Sequence, residues 1–411
     1  MGVKSSKTII RSEIIIGLRV SENLQYYQEV REMLSKFTDR RKIEDLIERV
    51  IDVINTPKNQ KKRAVYNPKF TISFENISLR DILDIGDYSN YLEDPYLILE
   101  LQLRQKLYHF EHFDDDTYID DIVIIPFEHY FEYSLFGIDL RYDDRGCPIF
   151  GNSPLKGEKT VNKLTPHNFY TTGEMPRILR IYETIREIVK DRLRINLRLW
   201  ERGGLDIAIQ LLGYENFIVN TLENPNFIHE LMNYIVDERI RWFEAYYNYS
   251  GLEKGPVGIS DDWLNIPFIT PEIFRDFVLP YYFKIEKYHG GITNIHTCGN
   301  MEQLITYWLE IKSLNNFEIS PWSNLERSVS KIPSDKSLSI ALKNSDVLLG
   351  TEETIRSKLR EIIDICKGRK FSINVKGLQK MHDDVKEDIM QVKMFINIAR
   401  EELKNYVQYG F

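Results

Sequence analysis

The string His296-Thr297-Cys298-Gly299-Asn300 follows directly on the run Ile292 to Ile295, which Gly290-Gly291 introduces. On an extended strand residues i and i+2 face the same way, so the imidazole of His296 and the sulfur of Cys298 can reach one ion. Imidazole nitrogen with thiolate sulfur is half of a zinc site. Gly299 allows a sharp turn at the strand end, which is where barrels and open sheets place their chemistry. Asp261 and Asp262, which follow the preceding strand-like run Gly255 to Ser260, are the nearest oxygen donors. Three protein ligands and one open position form the catalytic arrangement of zinc. Asp262 is assigned as the ligand and Asp261 as a catalytic carboxylate beside it, an assignment that can be exchanged without changing the chemistry. The plainer alternatives are a core His beside a small buried Cys, and two carboxylates that simply face water.

These residues need a scaffold that brings strand ends together. Eight short β-branched or apolar runs recur along the chain, each followed by a polar or Gly-containing tip and then an amphipathic helix. They are residues 63–70, 119–127, 195–200, 255–260, 292–296, 316–319, 338–342 and 371–375. Clear helices lie between the later ones: Pro271 to Tyr288, opened by a Thr270 cap, then Thr351 to Lys367 and Asp383 to Tyr406. Residues 25–55 also carry apolar positions at helical spacing. Eight strands alternating with helices, without a Gly/Ser linker, predict an α/β fold: a single (β/α)8 TIM barrel over residues 61–411 with an N-terminal helical extension over 1–60.

In such a barrel the strand tips converge on one mouth. Besides the zinc candidates they carry Asn67-Pro68-Lys69, Trp200-Glu201-Arg202-Gly203-Gly204, Ser320-Pro321-Trp322, Lys343-Asn344 and Lys376-Gly377. Arg202 is suited to orienting an anionic or carbonyl group, and Trp200 and Trp322 offer flat walls for a ring. Asn67 and Lys343 complete the substrate-binding candidates. Asp114-Asp115-Asp116 reads as a solvated loop, because three consecutive acids project in different directions. Cys147, in a polar loop, and Cys366, in a helix, read as structural.

Composition narrows the classes of function. The chain has 411 residues, 43% of them hydrophobic and 12% aromatic, enough to fill one large core. Fifty-four basic against 62 acidic residues give a net charge of −8 with no long basic block, which argues against a nucleic-acid binder. Three scattered cysteines form no disulfide framework and fit a reducing cytoplasm. No apolar stretch approaches the ~20 residues of a membrane span.

Thr270-Pro271-Glu272-Ile273-Phe274, Phe277, Leu279-Pro280-Tyr281-Tyr282 and His296-Thr297-Cys298-Gly299-Asn300, in this order and spacing, resemble the uroporphyrinogen decarboxylase superfamily. Asn224-Pro225-Asn226-Phe227 to Leu231 is similar to that family's helix after a "DP" turn. The His-x-Cys-Gly string resembles the cobalamin-dependent methyltransferases of the superfamily. That likeness implies Zn2+ held by Asp262, His296 and Cys298, and a corrinoid (cobalamin) carried by a partner protein. It also implies a small methylated donor or acceptor, of the methoxylated aromatic or methylamine type. Two departures qualify it. The Arg-rich "RQAGRY" string of the porphyrinogen decarboxylases is replaced by Tyr66-Asn67-Pro68-Lys69-Phe70. The second Cys of thiol-methylating members is replaced in Val375-Lys376-Gly377-Leu378. A decarboxylase-type lyase, with Lys69, Arg202 and Lys343 holding carboxylates, and a catalytically silent corrinoid-binding paralogue are the alternative readings.

Overall fold

The computed structural model describes residues 40–63, 68–75, 78, 81–84, 91–125, 130–143 and 148–409. Among the described residues two helices, α1 (Arg40–Asn55) and α2 (Pro57–Lys62), precede the first strand. Leu46, Ile47 and Val50 of α1 are buried in the common core. Asn59 of α2 pairs with both backbone groups of Ile119, at 2.8 and 2.9 Å. Residues 25–39 of the expected helical lead-in lie outside the described residues.

Eight parallel strands follow: β1 (Lys69–Phe74), β2 (Ile122–Ile125), then after a two-stranded hairpin, β3 (Leu140–Tyr142) with β4 (Pro148–Phe150), β5 (Arg194–Leu197), β6 (Val257–Ser260), β7 (Ile292–His296), β8 (Asn316–Ile319), β9 (Ser337–Ala341) and β10 (Phe371–Leu378). The ladders run β8-β9-β10-β1, β2-β5 and β6-β7. Past the end of β5 a parallel bridge joins Arg202 to Ser260 and so links the second ladder to the third. The architecture is a TIM barrel.

Along β1 and β10 apolar residues alternate with polar ones, and the burial explains why. Phe371, Ile373 and Val375 are buried against the helices. Their alternates Ser372 and Asn374 meet Thr71 and Ser339 inside the barrel, with Asn374 accepting from Thr71 at 2.9 Å and donating to Ser339 at 2.8 Å. The seam between β1 and β2 is closed by side chains. The carboxylate of Asp116 accepts from the Phe70 amide and that of Asp115 from the Ile72 amide, both at 2.9 Å. Gln102, on helix α3 (Pro95–His112), exchanges two hydrogen bonds with the backbone of Ile124. Asp115 and Asp116 are thus buried edge caps and not the solvated loop that three consecutive acids predict; of the three, Asp114 alone is exposed.

The first strand also differs from expectation. It begins at Lys69, where the expected run ends, because Phe70, Ile72 and Phe74 carry the true alternation and the basic residues before it belong to α2. Its mouth end is therefore Phe74–Glu75, and Lys69 lies at the opposite end of the barrel. Asn67, a substrate-binding candidate, lies outside the described residues, as does Cys147. The remaining helices cover the strands: α4 (Phe131–Leu135), α5 (Met175–Val189), α6 (Gly204–Leu212), α7 (Tyr214–Glu223), α8 (Pro225–Ser250), α9 (Pro271–Phe277), α10 (Leu279–His289), α11 (Ile305–Trp308), α12 (Leu325–Lys331), α13 (Asn344–Leu348), α14 (Glu352–Ile365) and α15 (Val385–Tyr409). The helix expected over Pro271 to Tyr288 is broken at Val278, where φ is −120°, just before Pro280 removes an amide donor.

Candidate metal centre

β6 and β7 run in register, with Ser260 opposite His296, and the Asp261 amide donates to the His296 carbonyl at 3.0 Å. One step beyond, side chains alternate. Thr297 turns the opposite way, buried, and its hydroxyl donates to the Leu264 carbonyl at 2.6 Å, while His296 and Cys298 turn together to the mouth. Asp262 meets them from the neighbouring tip. The Cys298 sulfur lies 3.2 Å from Asp262 Oδ1 and 3.5 Å from His296 Nε2, and the third edge, His296 Nε2 to Asp262 Oδ1, is 3.8 Å. A tetrahedral zinc with bonds of about 2.0–2.3 Å separates its ligands by roughly 3.3–3.6 Å. The three edges bracket that range, and nitrogen, sulfur and oxygen are all donors that zinc accepts.

Behind the triangle stands a group that the tip-by-tip reading missed. Glu318, on the inward face of β8, places Oε1 2.5 Å from His296 Nδ1, and its Oε2 receives Lys376 Nζ at 2.6 Å. β8 and β10 are separated by β9, so this contact forms only on the concave side. The arrangement directs the His296 Nε2 lone pair toward Cys298 and Asp262, the usual carboxylate–histidine support of a metal ligand. Its signal in the sequence is an acid between Phe317 and Ile319, at an inward position of a buried strand.

The charges are consistent with this geometry. Burial alone would raise Glu318, but His296 and Lys376 outweigh it and hold the carboxyl down at about 2. Burial likewise opposes the charge on His296, yet Glu318 raises its pKa. Asp262 is pulled below the carboxylate range despite burial, chiefly by Arg202. Cys298 is exposed at the mouth, yet desolvation by the atoms packed round its sulfur, then the Asp262 carboxylate, push the thiol up to about 12 in the absence of a cation. A metal ion reverses that last effect.

Gly299 has a different reason from the one expected. Its φ is not in the left-handed region, but a Cβ there would lie 1.9 Å from Asn265 Cγ. Asn265 accepts from the Asn300 amide at 2.9 Å, so the tips after β6 and β7 interlock through the space a side chain would fill.

The other expected residues separate into two groups. Arg202 lies at the edge of the triangle, with Nη1 2.5 Å from Asp262 Oδ2 and 2.9 Å from Asp206 Oδ2. Trp322 is 60% exposed on the rim, with Lys343 Nζ 4.3 Å above its ring. Asp261 and Trp200, in contrast, are fully buried. Asp261 turns away from Asp262, as successive residues at a strand end do, and accepts from the Asp206 amide at 2.7 Å and the Tyr282 hydroxyl at 2.8 Å. Trp200 packs among Phe136, His167 and Trp242 and donates to the Arg202 carbonyl. Neither presents an atom to the mouth, so the catalytic place expected for Asp261 and the pocket-wall place expected for Trp200 are not where the fold puts them.

A parallel eight-stranded barrel with titratable side chains converging at the carboxyl ends of its strands is the architecture of a TIM-barrel enzyme. The family model of uroporphyrinogen decarboxylase (URO-D) matches residues 87–401, and the chain belongs to that family. A methyltransferase from Methanosarcina mazei shares the fold with a TM-score of 0.61 and 16% identity, over 87% of this chain and 99% of that one. A structure described as a vitamin-B12-independent methionine synthase from Listeria monocytogenes aligns at a TM-score of 0.33 and 12% identity, over 58% of this chain and 72% of that one, too loosely to bear on the fold. Among curated protein sequences none matches. No helix among the described residues is long and apolar enough to cross a membrane.

Proposed function

We propose that this protein is a zinc-dependent methyltransferase that moves a methyl group between a small methylated substrate, of the methoxylated aromatic or methylamine type, and a corrinoid carried by a partner protein. The observation that carries the reading is the triangle of Asp262, His296 and Cys298, with ligand atoms within 4.8 Å of one another and Glu318 fixing the imidazole from behind. The fold shared with a protein called a methyltransferase agrees with it. Asp262, His296 and Cys298 would hold the ion and leave one position open to the substrate. Bound there, zinc would supply Lewis-acid stabilisation of the heteroatom that loses its methyl group, a poor leaving group otherwise. Trp322 and Lys343 stand on the rim where a ring and an anionic substituent would pass. The decarboxylase reading needs several cations for carboxylates, but of Lys69, Arg202 and Lys343 the first lies at the opposite end of the barrel and the second is engaged by Asp206 and Asp262, which leaves Lys343 on the rim.

Metal analysis and a methyl-transfer assay test this reading. The protein should carry about one zinc per chain, and His296→Ala or Cys298→Ser should lose it. With a reduced corrinoid protein and a methylated donor, cobalt(I) should convert to methyl-cobalt(III), followed by visible absorbance, and chelation should abolish the conversion. A broad donor screen without transfer, together with chelator-insensitive release of carbon dioxide from a porphyrinogen, would replace it with the lyase.

A further inference from the structure

Beneath the metal triangle lies a buried assembly that the proposed chemistry does not itself use. Arg202 is anchored on every side. Its amide and that of Glu201 donate to Glu132 Oε1, its carbonyl accepts from Arg239 and the Trp200 indole, and its guanidinium lies 4.8 Å from the centre of the Tyr130 ring. The same guanidinium nitrogen, Nη1, reaches two carboxylates, Asp206 below and Asp262 above. Asp206 is fixed in turn: its Oδ1 accepts from the Trp263 amide at 2.9 Å, and its own amide is held by Asp261, which also receives the Tyr282 hydroxyl. No slack exists in this stack, since a Cβ on Gly203 would lie 2.0 Å from Asp261 Oδ2. The division of labour at Asp262 is specific. Oδ2 faces Arg202, whereas Oδ1 faces both the Cys298 sulfur and His296 Nε2.

We infer that Arg202, braced by Asp206, is a positioning residue that occupies one oxygen of Asp262 and so presents the other, singly, to the ion shared with His296 and Cys298. Resting on the metal reading above, this gives Arg202 a different task from the substrate orientation expected of its residue type. A carboxylate left to itself can bind a cation through both oxygens and fill the position that a substrate needs. With Oδ2 committed to the guanidinium, Asp262 offers one donor atom, and the fourth position stays open. Asp206 matters because it holds the guanidinium in the plane from which Asp262 is reached. Lysine lacks the planar group that lies against the Tyr130 ring, so it would not fix its nitrogen at this point between the two acids.

The test is a double-mutant cycle read by zinc affinity, with chelator competition on the full-length protein. Asp206→Asn keeps shape and volume and should lower zinc affinity roughly 10- to 100-fold, the range usual for outer-shell partners. In the Asp262→Asn background the same substitution should have little further effect, because its route to the metal has gone. Arg202→Lys should weaken zinc binding similarly. X-ray absorption at the zinc edge should show the number of oxygen neighbours change in Arg202→Lys while the single sulfur neighbour stays. A purely structural role would shift melting temperature and leave that ligand count unchanged. Equal losses from Asp206→Asn in both backgrounds, or an unaltered zinc environment in Arg202→Lys, would overturn the inference while leaving the metal site standing. If the unsubstituted protein takes up no zinc, or His296→Ala retains it, the metal reading itself fails and the inference falls with it.

Discussion

Glu318 decides how His296 can act. With Nδ1 engaged by a carboxylate, the imidazole is held in one tautomer and one orientation, and Lys376 keeps that carboxylate in place from the far side. Glu318→Gln retains a hydrogen-bond acceptor but removes the charge, so zinc affinity should fall roughly 10- to 100-fold in a chelator competition. Lys376→Met should produce a smaller loss. The two adjacent aspartates should behave oppositely. Asp262→Asn removes a ligand charge and should be damaging, whereas Asp261→Asn should be mild in zinc content. Burial and the facing Asp206 raise the Asp261 carboxyl well above the ordinary range, so the substitution removes a charge that the fold disfavours and touches no ligand atom.

At the scale of elements, the interlock of the tips after β6 and β7 makes Gly299→Ala a sharp probe. Its Cβ would enter the space of Asn265, and we expect a cost of about 1–3 kcal/mol in urea denaturation together with loss of zinc, since the same loop carries Cys298. At the seam, Asp116→Ala would strand the Phe70 amide without an acceptor, again at about 1–3 kcal/mol, but zinc affinity should stay within about twofold because the mouth is untouched. These two sites show what a sequence discloses and what it hides. The alternation around Ile295-His296 and Ile259-Ser260 announced both the strands and the face that would carry ligands, because strand period and side-chain direction are local properties. The role of Gly299 depends on Asn265, on another tip, and the roles of Asp115, Asp116 and Gln102 depend on which strand edge lacks a neighbour. The buried stack under Arg202 was hidden for the same reason: Asp206 lies one helical turn beyond Arg202, but only the closed barrel brings both to Asp261 and Asp262.

Across the whole molecule, α1 and α2 are part of the barrel's own structure. Asn59 supplies Ile119 with both hydrogen bonds that a neighbouring strand would give, and Asn59→Ala should destabilise the protein by about 1–3 kcal/mol in urea. Acid should find a particular weakness in His289, at the end of α10 beside Phe243. Burial lowers its pKa from 6.5 to about 3. A histidine held neutral in the fold but free to protonate when unfolded contributes stability above about pH 6.5, and that contribution is lost as the pH falls toward 3. The slope approaches about 1.4 kcal/mol per pH unit. Replacing it, as in His289→Gln, should flatten the dependence of urea midpoint on pH in that window; an unchanged slope would assign acid sensitivity elsewhere.

The side-chain closure of the first strand also has a consequence in time. One edge of β1 is satisfied by Asp115 and Asp116, which follow it within about one helix of chain, but its ladder partner is β10, and Thr71 meets Asn374 across 303 residues. At about 5–20 residues per second of synthesis, β1 waits roughly 15 to 60 s for that partner to be made. Until then the carboxylates can guard one side of the nascent strand while the other is open to any passing edge. Chains halted before residue 371 should therefore be cut by protease near β1, whereas finished chains should resist, and the last strand to leave the ribosome is the one that shelters the first.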